Sequence, residues 1–221
     1  MSNSQADGGL DRHDDIYERL VNMHDGLSED ESRKLNAKLI LTLINEVGDA
    51  DTYRCKDAGE TTKFYETMLG MEFQLAFAEN EVPSTGEYDP YMHIFLDAGG
   101  GNVLAFFELP EQPEMGRDQN TPKWVQHIAL KVDNMDDLLA AKAHLQANGV
   151  EVLGPTNHGI FKSIYFFDPN GHRLELACDT GSADDYIELK RVAREMLEEW
   201  TQTKKAPQHA AWLHERARAD H

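Results

Sequence analysis

The chain has 221 residues, of which 40 are acidic and 21 basic, and its formal net charge at pH 7 is −19. This length is enough for one large domain or two small ones, and the negative charge repels polyanions, so nucleic acid is not an expected partner. The longest apolar run, LILTLI at 39–44, is too short to cross a bilayer, and the first residues do not resemble a signal peptide. We therefore expect a cytoplasmic protein with no membrane partner.

The two ends of the chain predict helical extensions. Residues 1–12 are polar and predict a disordered N-terminus, whereas 13–50 predict a helical hairpin whose second helix begins at a capping box, Ser28–Glu31. The C-terminal extension, 183–221, contains a further helical pattern over 184–202. Because isolated helices are marginal in water, we expect both extensions to pack on the central domain or across a homodimer interface.

The central part of the chain repeats one order of elements. Strand, helix, strand and hairpin patterns follow one another in 51–109 and again in 124–178, with a proline-containing linker at 110–123. Two βαβββ modules side by side form a curved sheet around a cavity, because each sheet buries only one face under its helix. The predicted fold class is α+β: paired βαβββ modules within 51–178, with helical extensions at both ends.

Strand alternation assigns side chains of the first module to the helix side or the cavity side. In YMHIFLD, the apolar set containing Ile94 is predicted to pack under the helix, which leaves His93 and Phe95 on the cavity side. In NVLAFFEL, the same reasoning places Phe106 and Glu108 on the cavity side. These four residues are therefore predicted to line the cavity.

Three polar residues occupy equivalent places in the repeat. Glu108 and Glu175 each end the last strand of a module, and His127 begins the second module. Two carboxylates that converge beside an imidazole need a cation, because like charges in a partly dry site otherwise force one carboxylate to take up a proton. The sequence therefore predicts a divalent metal ion at Glu108, His127 and Glu175, and it leaves open whether the ion is Fe²⁺, Mn²⁺, Ni²⁺ or Zn²⁺.

Residues 51–178 resemble the vicinal oxygen chelate superfamily, which includes glyoxalase I, extradiol ring-cleavage dioxygenases, fosfomycin and bleomycin resistance proteins, and methylmalonyl-CoA epimerase. The resemblance is carried by RCKDAGETTKFYETMLGM, QHIALKVDNMDDLLAAKAHLQANGVEV and FFDPNGHRLEL. In that superfamily the metal ligands come from the first and last strands of each module. The resemblance therefore implies the same three ligands, Glu108, His127 and Glu175.

The chain departs from this family pattern at its first ligand. The resemblance implies a His or Gln seven residues before Asp57, and this chain has Ala50 there. Asp51 or His93 could supply the missing group, and loss of the metal is the alternative. The N-terminal stretch HDGLSEDESRKLNAKLILTLINEVGD resembles a small bacterial domain of unknown function. The chain thus looks like a fusion whose junction falls at the missing ligand.

The resemblance to extradiol dioxygenases implies one set of catalytic residues. In that pattern a Tyr stands ten residues before the Glu ligand, which gives Tyr165 before Glu175, and His158 is placed upstream as an acid–base group. The metal would bind a catecholate and dioxygen side by side while Tyr165 holds the substrate oxygen. Because Phe95, Phe106 and Tyr165 are predicted to share the cavity, a flat aromatic substrate is expected.

Two other functions are kept open. The Glu, His, Glu set also resembles glyoxalase I, in which a metal polarises a hemithioacetal and a Glu abstracts its proton, with Arg54 and Lys162 available to hold an anionic cosubstrate. The third function is metal-free binding of a small molecule. Nickel or zinc with glutathione dependence would favour the lyase, iron(II) with oxygen uptake the dioxygenase, and a protein without metal the binding module.

Overall fold

The computed structural model describes residues 26–28, 50–116, 118–206 and 209–218. Almost all of the helical hairpin and the disordered N-terminus predicted for 1–50 lies outside these ranges, so that part stays a prediction. The described residues contain two four-stranded sheets and four helices. None of these helices is long and apolar enough to cross a membrane.

The first module is a mixed sheet with one helix on one of its faces. Its strand order is β1-β4-β3-β2, with β1 parallel to β4 and the other neighbours antiparallel. The helix begins after Asp57, whose side chain accepts from the Glu60 amide, and it ends at Gly70 in the left-handed conformation that glycine tolerates. The elements are β1 (Ala50–Cys55), α1 (Ala58–Leu69), β2 (Phe73–Glu81), β3 (Tyr88–Gly99) and β4 (Asn102–Glu108).

The second module has the same topology. Its strand order is β5-β8-β7-β6, with β5 parallel to β8, and its helix begins after Asn134, which caps the Asp137 amide. The repetition confirms the predicted α+β fold of paired βαβββ modules. Its elements are β5 (Ile128–Lys131), α2 (Met135–Ala147), β6 (Leu153–Asn157), β7 (Phe161–Phe167) and β8 (Arg173–Asp179), followed by α3 (Ala183–Thr203) and α4 (Ala211–Arg218).

The turn between β7 and β8 joins the two modules. The Asn170 side chain accepts from the Lys56 amide at 2.8 Å and donates to Asp168 at 2.9 Å. The buried Tyr65 hydroxyl of α1 donates to the same carboxylate at 3.2 Å, and burial, followed by the nearby Asp168 charge, raises the pKa of this phenol. Since buried polar groups that lose a partner are costly, this network holds the modules together within one chain.

The C-terminal extension begins with a capped helix. Ser182 and Asp185 cap the amides at the start of α3 reciprocally. Along α3 only Val192 is fully buried among the described residues, at 2% exposure, while apolar side chains such as Ile187 and Trp200 are exposed. The predicted packing of this stripe across a homodimer interface stays a prediction.

Candidate functional site

The sheet of the second module buries one face and leaves the other partly open. Leu174 and Leu176 of β8 pack with residues of α2 in the main core, so Glu175 between them points to the opposite face. Tyr165 of β7 pairs with Glu175 in register and lies on that same face. His127 stands immediately before β5 and contacts Glu175 there. We call this surface the open face of the second sheet.

Four side chains on the open face form a continuous hydrogen-bonded series, which we call the polar chain. His158 Nε2 lies 2.9 Å from the Tyr165 hydroxyl, which donates to Glu175 Oε1 at 3.1 Å. His127 Nε2 lies 2.7 Å from Glu175 Oε2, and His127 Nδ1 lies 2.9 Å from the carbonyl oxygen of Val125. Because a phenol has one proton and gives it here to Glu175, His158 donates to the Tyr165 oxygen.

The contact between His127 and Glu175 joins a ring nitrogen to a carboxylate oxygen. A carbonyl oxygen only accepts, so Nδ1 of His127 carries the proton donated to Val125, and Nε2 faces the carboxylate. His127 and Glu175 therefore share one proton between Nε2 and Oε2. Glu175 is only 5% exposed, so its charge depends on these partners.

The environment of Tyr165 disfavours the phenolate. Burial raises the pKa of the Tyr165 phenol, and the negative charge of Glu175 and the hydrogen bond to it raise this pKa further. Arg173 acts in the opposite direction: its guanidinium lies 4.1 Å from the Tyr165 ring centroid. Tyr165 is therefore a hydrogen-bond donor that stays protonated at neutral pH.

Phe106 and Glu108 do not lie on the predicted side of the first sheet. The β3–β4 register pairs Ile94 with Phe106 and Met92 with Glu108, so both residues share the helix-covered face with Ile94. Phe106 is 0% exposed and packs 5.1 Å from the Tyr65 ring of α1. The prediction that Phe106 and Glu108 line the cavity was wrong because it aligned the two strands of the hairpin one residue out of register.

Glu108 binds the start of α1 instead of joining His127 and Glu175. Its Oε2 accepts from the Ala58 amide at 2.6 Å, where the exposed amides of a helix N-terminus favour a negative charge. Among the described residues, no group of three His, Cys, Asp or Glu side chains is placed to hold a metal ion. The predicted three-ligand set is therefore not assembled, although His127 and Glu175 are brought together.

His93 and Phe95 do lie on the face away from α1, within an aromatic cluster. The His93 ring stacks on Phe107 at 3.6 Å and contacts Phe77 and Phe95. His93 is 4% exposed, neither ring nitrogen has a hydrogen-bond partner among the described residues, and burial lowers its pKa to about 4. Phe107 is the aromatic residue that strand alternation missed, since it lies opposite His93 in the register of the hairpin.

Arg54 and Lys162 lie apart from the polar chain. The guanidinium of Arg54 donates to the Pro113 carbonyl oxygen at 2.7 Å and so holds the linker between the modules. Lys162 pairs with Cys178 in register, which places it on the α2 side of β7 rather than on the open face with Tyr165. Binding of an anionic cosubstrate by these two residues stays a prediction.

A cavity of about 810 Å³ opens beside His127. It lies between the linker, from Met115 to Gln126, and the module interface at Tyr53, His172 and Arg173. Pockets for small molecules have about 300–1,000 Å³, so this space suits a small organic ligand. The exposed part of the His127 ring borders this space.

Two side chains beside the cavity, His127 and Glu175, have the chemistry of metal ligands. Because Nδ1–H of His127 donates to a backbone carbonyl, Nε2 presents a lone pair once the proton shared with Glu175 is lost, which is the usual arrangement of a metal-binding histidine. Glu175 Oε2 faces that nitrogen and Oε1 is oriented by Tyr165. Position 50, at the start of β1, is an alanine and offers no ligand atom. Among the described residues this place thus offers two donor side chains, His127 and Glu175, one fewer than the three protein ligands usual for a catalytic metal.

Comparison with known proteins agrees with this fold. The model of the Glyoxalase/Bleomycin resistance protein/Dioxygenase superfamily matches residues 44–176. The chain belongs to this superfamily. The model of a protein of unknown function, DUF2783, matches residues 5–58, which confirms that the N-terminal segment resembles a domain of that kind.

Several curated relatives of the superfamily match part of the chain. Biphenyl-2,3-diol 1,2-dioxygenase 2 of Rhodococcus globerulus is 36% identical over 61 residues, which are 28% of this chain and 32% of the relative. Metapyrocatechase of Pseudomonas sp. (strain CF600) is 29% identical over 109 residues, 44% of this chain and 33% of the relative. The chain thus spans about a third of the length of these relatives.

Solved structures also match part of the chain. A glyoxylase/bleomycin resistance protein/dioxygenase domain from Frankia sp. EAN1pec is 16% identical with a TM-score of 0.49, and it covers 60% of this chain and 90% of its own. The trypanothione-dependent glyoxalase I of Leishmania major is 21% identical with a TM-score of 0.45, and it covers 69% of this chain and 96% of its own.

Proposed function

We propose that the protein is a metal-dependent ring-cleaving enzyme of the extradiol dioxygenase type that acts on a catechol-like substrate. The observation that carries this proposal is the polar chain, in which His158, Tyr165, Glu175 and His127 follow one another at hydrogen-bonding distance. The names of the two curated relatives, both dioxygenases or pyrocatechases, support the same reaction class.

Each residue of the polar chain has one role in this proposal. His127 and Glu175 would hold a divalent ion, which when bound supplies positive charge that favours an ionised substrate oxygen. Tyr165, whose phenol stays protonated, would turn its one proton from Glu175 to that oxygen. His158 donates through Nε2 to the Tyr165 oxygen at 2.9 Å, so its other ring nitrogen is the one that would take up the substrate proton and return it later.

The surroundings of the polar chain favour an aromatic ligand. The ring of His158 stacks on Phe161 at 4.6 Å, and Tyr165 presents a partly exposed ring on the same face. The neighbouring cavity has Tyr53 and apolar side chains such as Met115 and Val125 in its wall, together with the charged side chains of Lys123, Arg173 and Asp118. A planar phenol that carries an anionic oxygen or carboxylate matches these contacts.

Oxygen uptake tests the proposal. The protein is loaded anaerobically with Fe²⁺, mixed with a panel of catechols and followed both by an oxygen electrode and by the absorbance of the ring-cleavage product. We expect turnover by the parent protein and by Glu108→Gln, and loss of turnover in Glu175→Gln. If catechols give neither signal while methylglyoxal with a thiol is converted, the glyoxalase I-like alternative replaces the dioxygenase.

A second candidate function is metal-free binding of a phenol. It is favoured by Ala50 at the first-ligand position and by the contact of Glu108 with α1 instead of His127. In that case His127 and Glu175 keep their shared proton, and the phenol binds beside Tyr165. Elemental analysis of protein purified without chelator separates the two functions, since the binding module retains no stoichiometric metal and still binds catechol.

A further inference from the structure

The loop that carries His158 is short and lies at the edge of the second sheet. It connects β6 to β7, and β6 is the edge strand. Within the loop, the His158 amide donates to the Phe161 carbonyl at 2.9 Å and the Gly159 amide donates to the Asn157 side chain at 2.8 Å. These local bonds close the turn, but an edge hairpin with few neighbours opens easily unless something packs on it.

The last described helix, α4, packs on this loop. Asn157 Nδ2 donates to the Arg216 carbonyl oxygen at 3.1 Å. A Cβ atom added to Gly159 would lie 2.6 Å from Leu213 Cδ1 and 2.7 Å from the Leu213 carbonyl oxygen. Gly159 also has a φ of +88°, which favours glycine. The loop backbone therefore lies directly against α4, with no room for a side chain between them.

The other side of the loop is held by the start of α3. The Ile160 carbonyl oxygen accepts from the Gly181 amide at 2.7 Å, and it lies 2.9 Å from the Tyr186 hydroxyl, whose one proton is shared between this oxygen and Asp179 Oδ1. Burial, and then the hydrogen bond to Asp179, raises the pKa of Tyr186 to about 12, so this hydroxyl remains a donor. The loop is thus held between two elements of the C-terminal extension.

An ion pair ties α4 to α3. Arg216 Nη1 lies 2.7 Å from Asp185 Oδ2, and the guanidinium lies 4.7 Å from the Trp212 ring centroid. The hydrogen bond from Arg216, with further bonds from Ser182, lowers the pKa of Asp185 to about 2. The pair is therefore charged throughout the neutral range, and α4 is anchored next to the capped start of α3.

We propose that α4 is a functional part of the site, in which Leu213 and Arg216 act as positioning residues that hold the Asn157–Ile160 loop so that His158 meets Tyr165. Residues 177–221 lie beyond the matched superfamily region, so this is a contribution of the extension to the polar chain. The catalytic consequence rests on the proposed function, because it assumes that His158 moves the substrate proton. The effect of α4 on the position of the Asn157–Ile160 loop does not depend on the proposed function.

The test compares two double variants of the full-length protein. Leu213→Ala/Arg216→Ala removes the side chain against Gly159 and the anchor to Asp185, whereas Leu197→Ala/Arg191→Ala removes the same side-chain types from exposed positions of α3. Amide hydrogen exchange and labelling of His158 by diethyl pyrocarbonate, read by mass spectrometry, report on the loop. We expect both rates to rise about tenfold in the first variant, because local opening becomes easier, and to stay unchanged in the second.

Turnover provides the second readout. If His158 is held by α4, the first variant has a lower kcat with a nearly unchanged KM, and the limb of the pH profile that reports the acid–base group is altered. Arg216→Lys, which keeps the cation, restores most of the kcat lost in Arg216→Ala. If the parent protein turns over no catechol, the proposed function fails, and the exchange and labelling rates still decide the structural claim. Equal rates in the two double variants, or faster rates with unchanged kcat and pH profile, overturn the proposal.

Discussion

Replacing Tyr165 with Phe removes the hydroxyl at the centre of the polar chain. The ring stays, so the stacking surface and the contact with Arg173 are preserved. What is lost is the bond to Glu175 at 3.1 Å and the contact with His158 at 2.9 Å. His127 still contacts the other Glu175 oxygen at 2.7 Å, so the His127–Glu175 pair remains in place.

The size of the effect follows from the charge on the partner. A hydrogen bond to an ionised group contributes about 1.5–3 kcal/mol, which corresponds to about tenfold to 150-fold in an equilibrium or rate constant. Because the Tyr165 phenol stays protonated, it can give its one proton either to Glu175, as in this structure, or to an ionised substrate oxygen. We therefore expect catechol affinity or kcat/KM to fall by this factor while the metal content stays unchanged.

The assay is a catechol titration and oxygen-uptake series on the parent and the variant, with metal content measured on the same samples. Tyr88→Phe is the control, since it removes a Tyr–Glu hydrogen bond from an exposed position, between Tyr88 and Glu111. A Tyr165→Phe protein that binds and converts catechols like the parent would refute the role of this hydroxyl. Loss of metal in that variant would refute the claim that His127 and Glu175 suffice as protein ligands.

Glu175→Gln should lower metal content under conditions that saturate the parent, whereas Glu108→Gln should leave it unchanged; elemental analysis of both variants checks this. The same Glu175→Gln change removes two of the causes that raise the pKa of Tyr165, so this pKa should fall, as measured by ultraviolet phenolate titration against Tyr165→Phe. Burial depresses the pKa of His93 from 6.5 to about 4. The neutral His93 ring therefore contributes to the free energy of unfolding above pH 6.5. This contribution is lost as pH falls towards 4, because the unfolded chain then binds a proton that the folded chain does not. Between pH 6.5 and pH 4, the free energy of unfolding should therefore fall less in His93→Leu than in the parent, by roughly 2 kcal/mol. Urea titrations of both proteins at these two pH values measure the difference. Asn170→Ala leaves the Lys56 amide and Asp168 with fewer partners in a buried network, and it should lower the free energy of unfolding by roughly 2–4 kcal/mol.

The positions of the second module's site residues could be predicted from sequence because residues close to one another in the chain determine them. The Asp168–Gly171 turn sets the β7–β8 hairpin, and Gly171 has the positive φ that such a turn requires. Once that hairpin is in register, Tyr165 and Glu175 become cross-strand partners on one face. The motif that places His127 before β5 completes the pair with Glu175, so three members of the polar chain follow from short-range patterns.

The first module was harder because its hairpin contains a bulge. The register shifts between Asp97 and Gly99, beside the glycine-rich turn, and alternation counted through each strand separately cannot detect such a shift. A shift of one residue exchanges the two faces of a strand, which moved Phe106 and Glu108 to the wrong side. Pairing the strands outward from Gly99 and Asn102 without the bulge places Glu108 opposite His93, whereas the observed register places Phe107 there.

The contribution of α4 could not be predicted from the pattern of the chain. Its contacts join Leu213 to Gly159 and Arg216 to Asn157, residues that are far apart in sequence and carry no shared motif. The only local indication is Gly159 itself, a glycine in a short loop next to a candidate acid–base histidine. A close backbone approach is one common reason for such a glycine, and here α4 is the element that approaches.

Titrating a catechol into protein loaded with Fe³⁺ tests whether a catechol binds at the open face of the second sheet, because a catechol bound to Fe³⁺ gives a visible absorption band. The polar chain predicts a saturable band in the parent protein and in Glu108→Gln, a weaker affinity in Tyr165→Phe, and no band in His127→Ala. Absence of a band in the metal-loaded parent, or a band that survives His127→Ala and disappears in Glu108→Gln, would contradict the assignment of the site to His127, Tyr165 and Glu175.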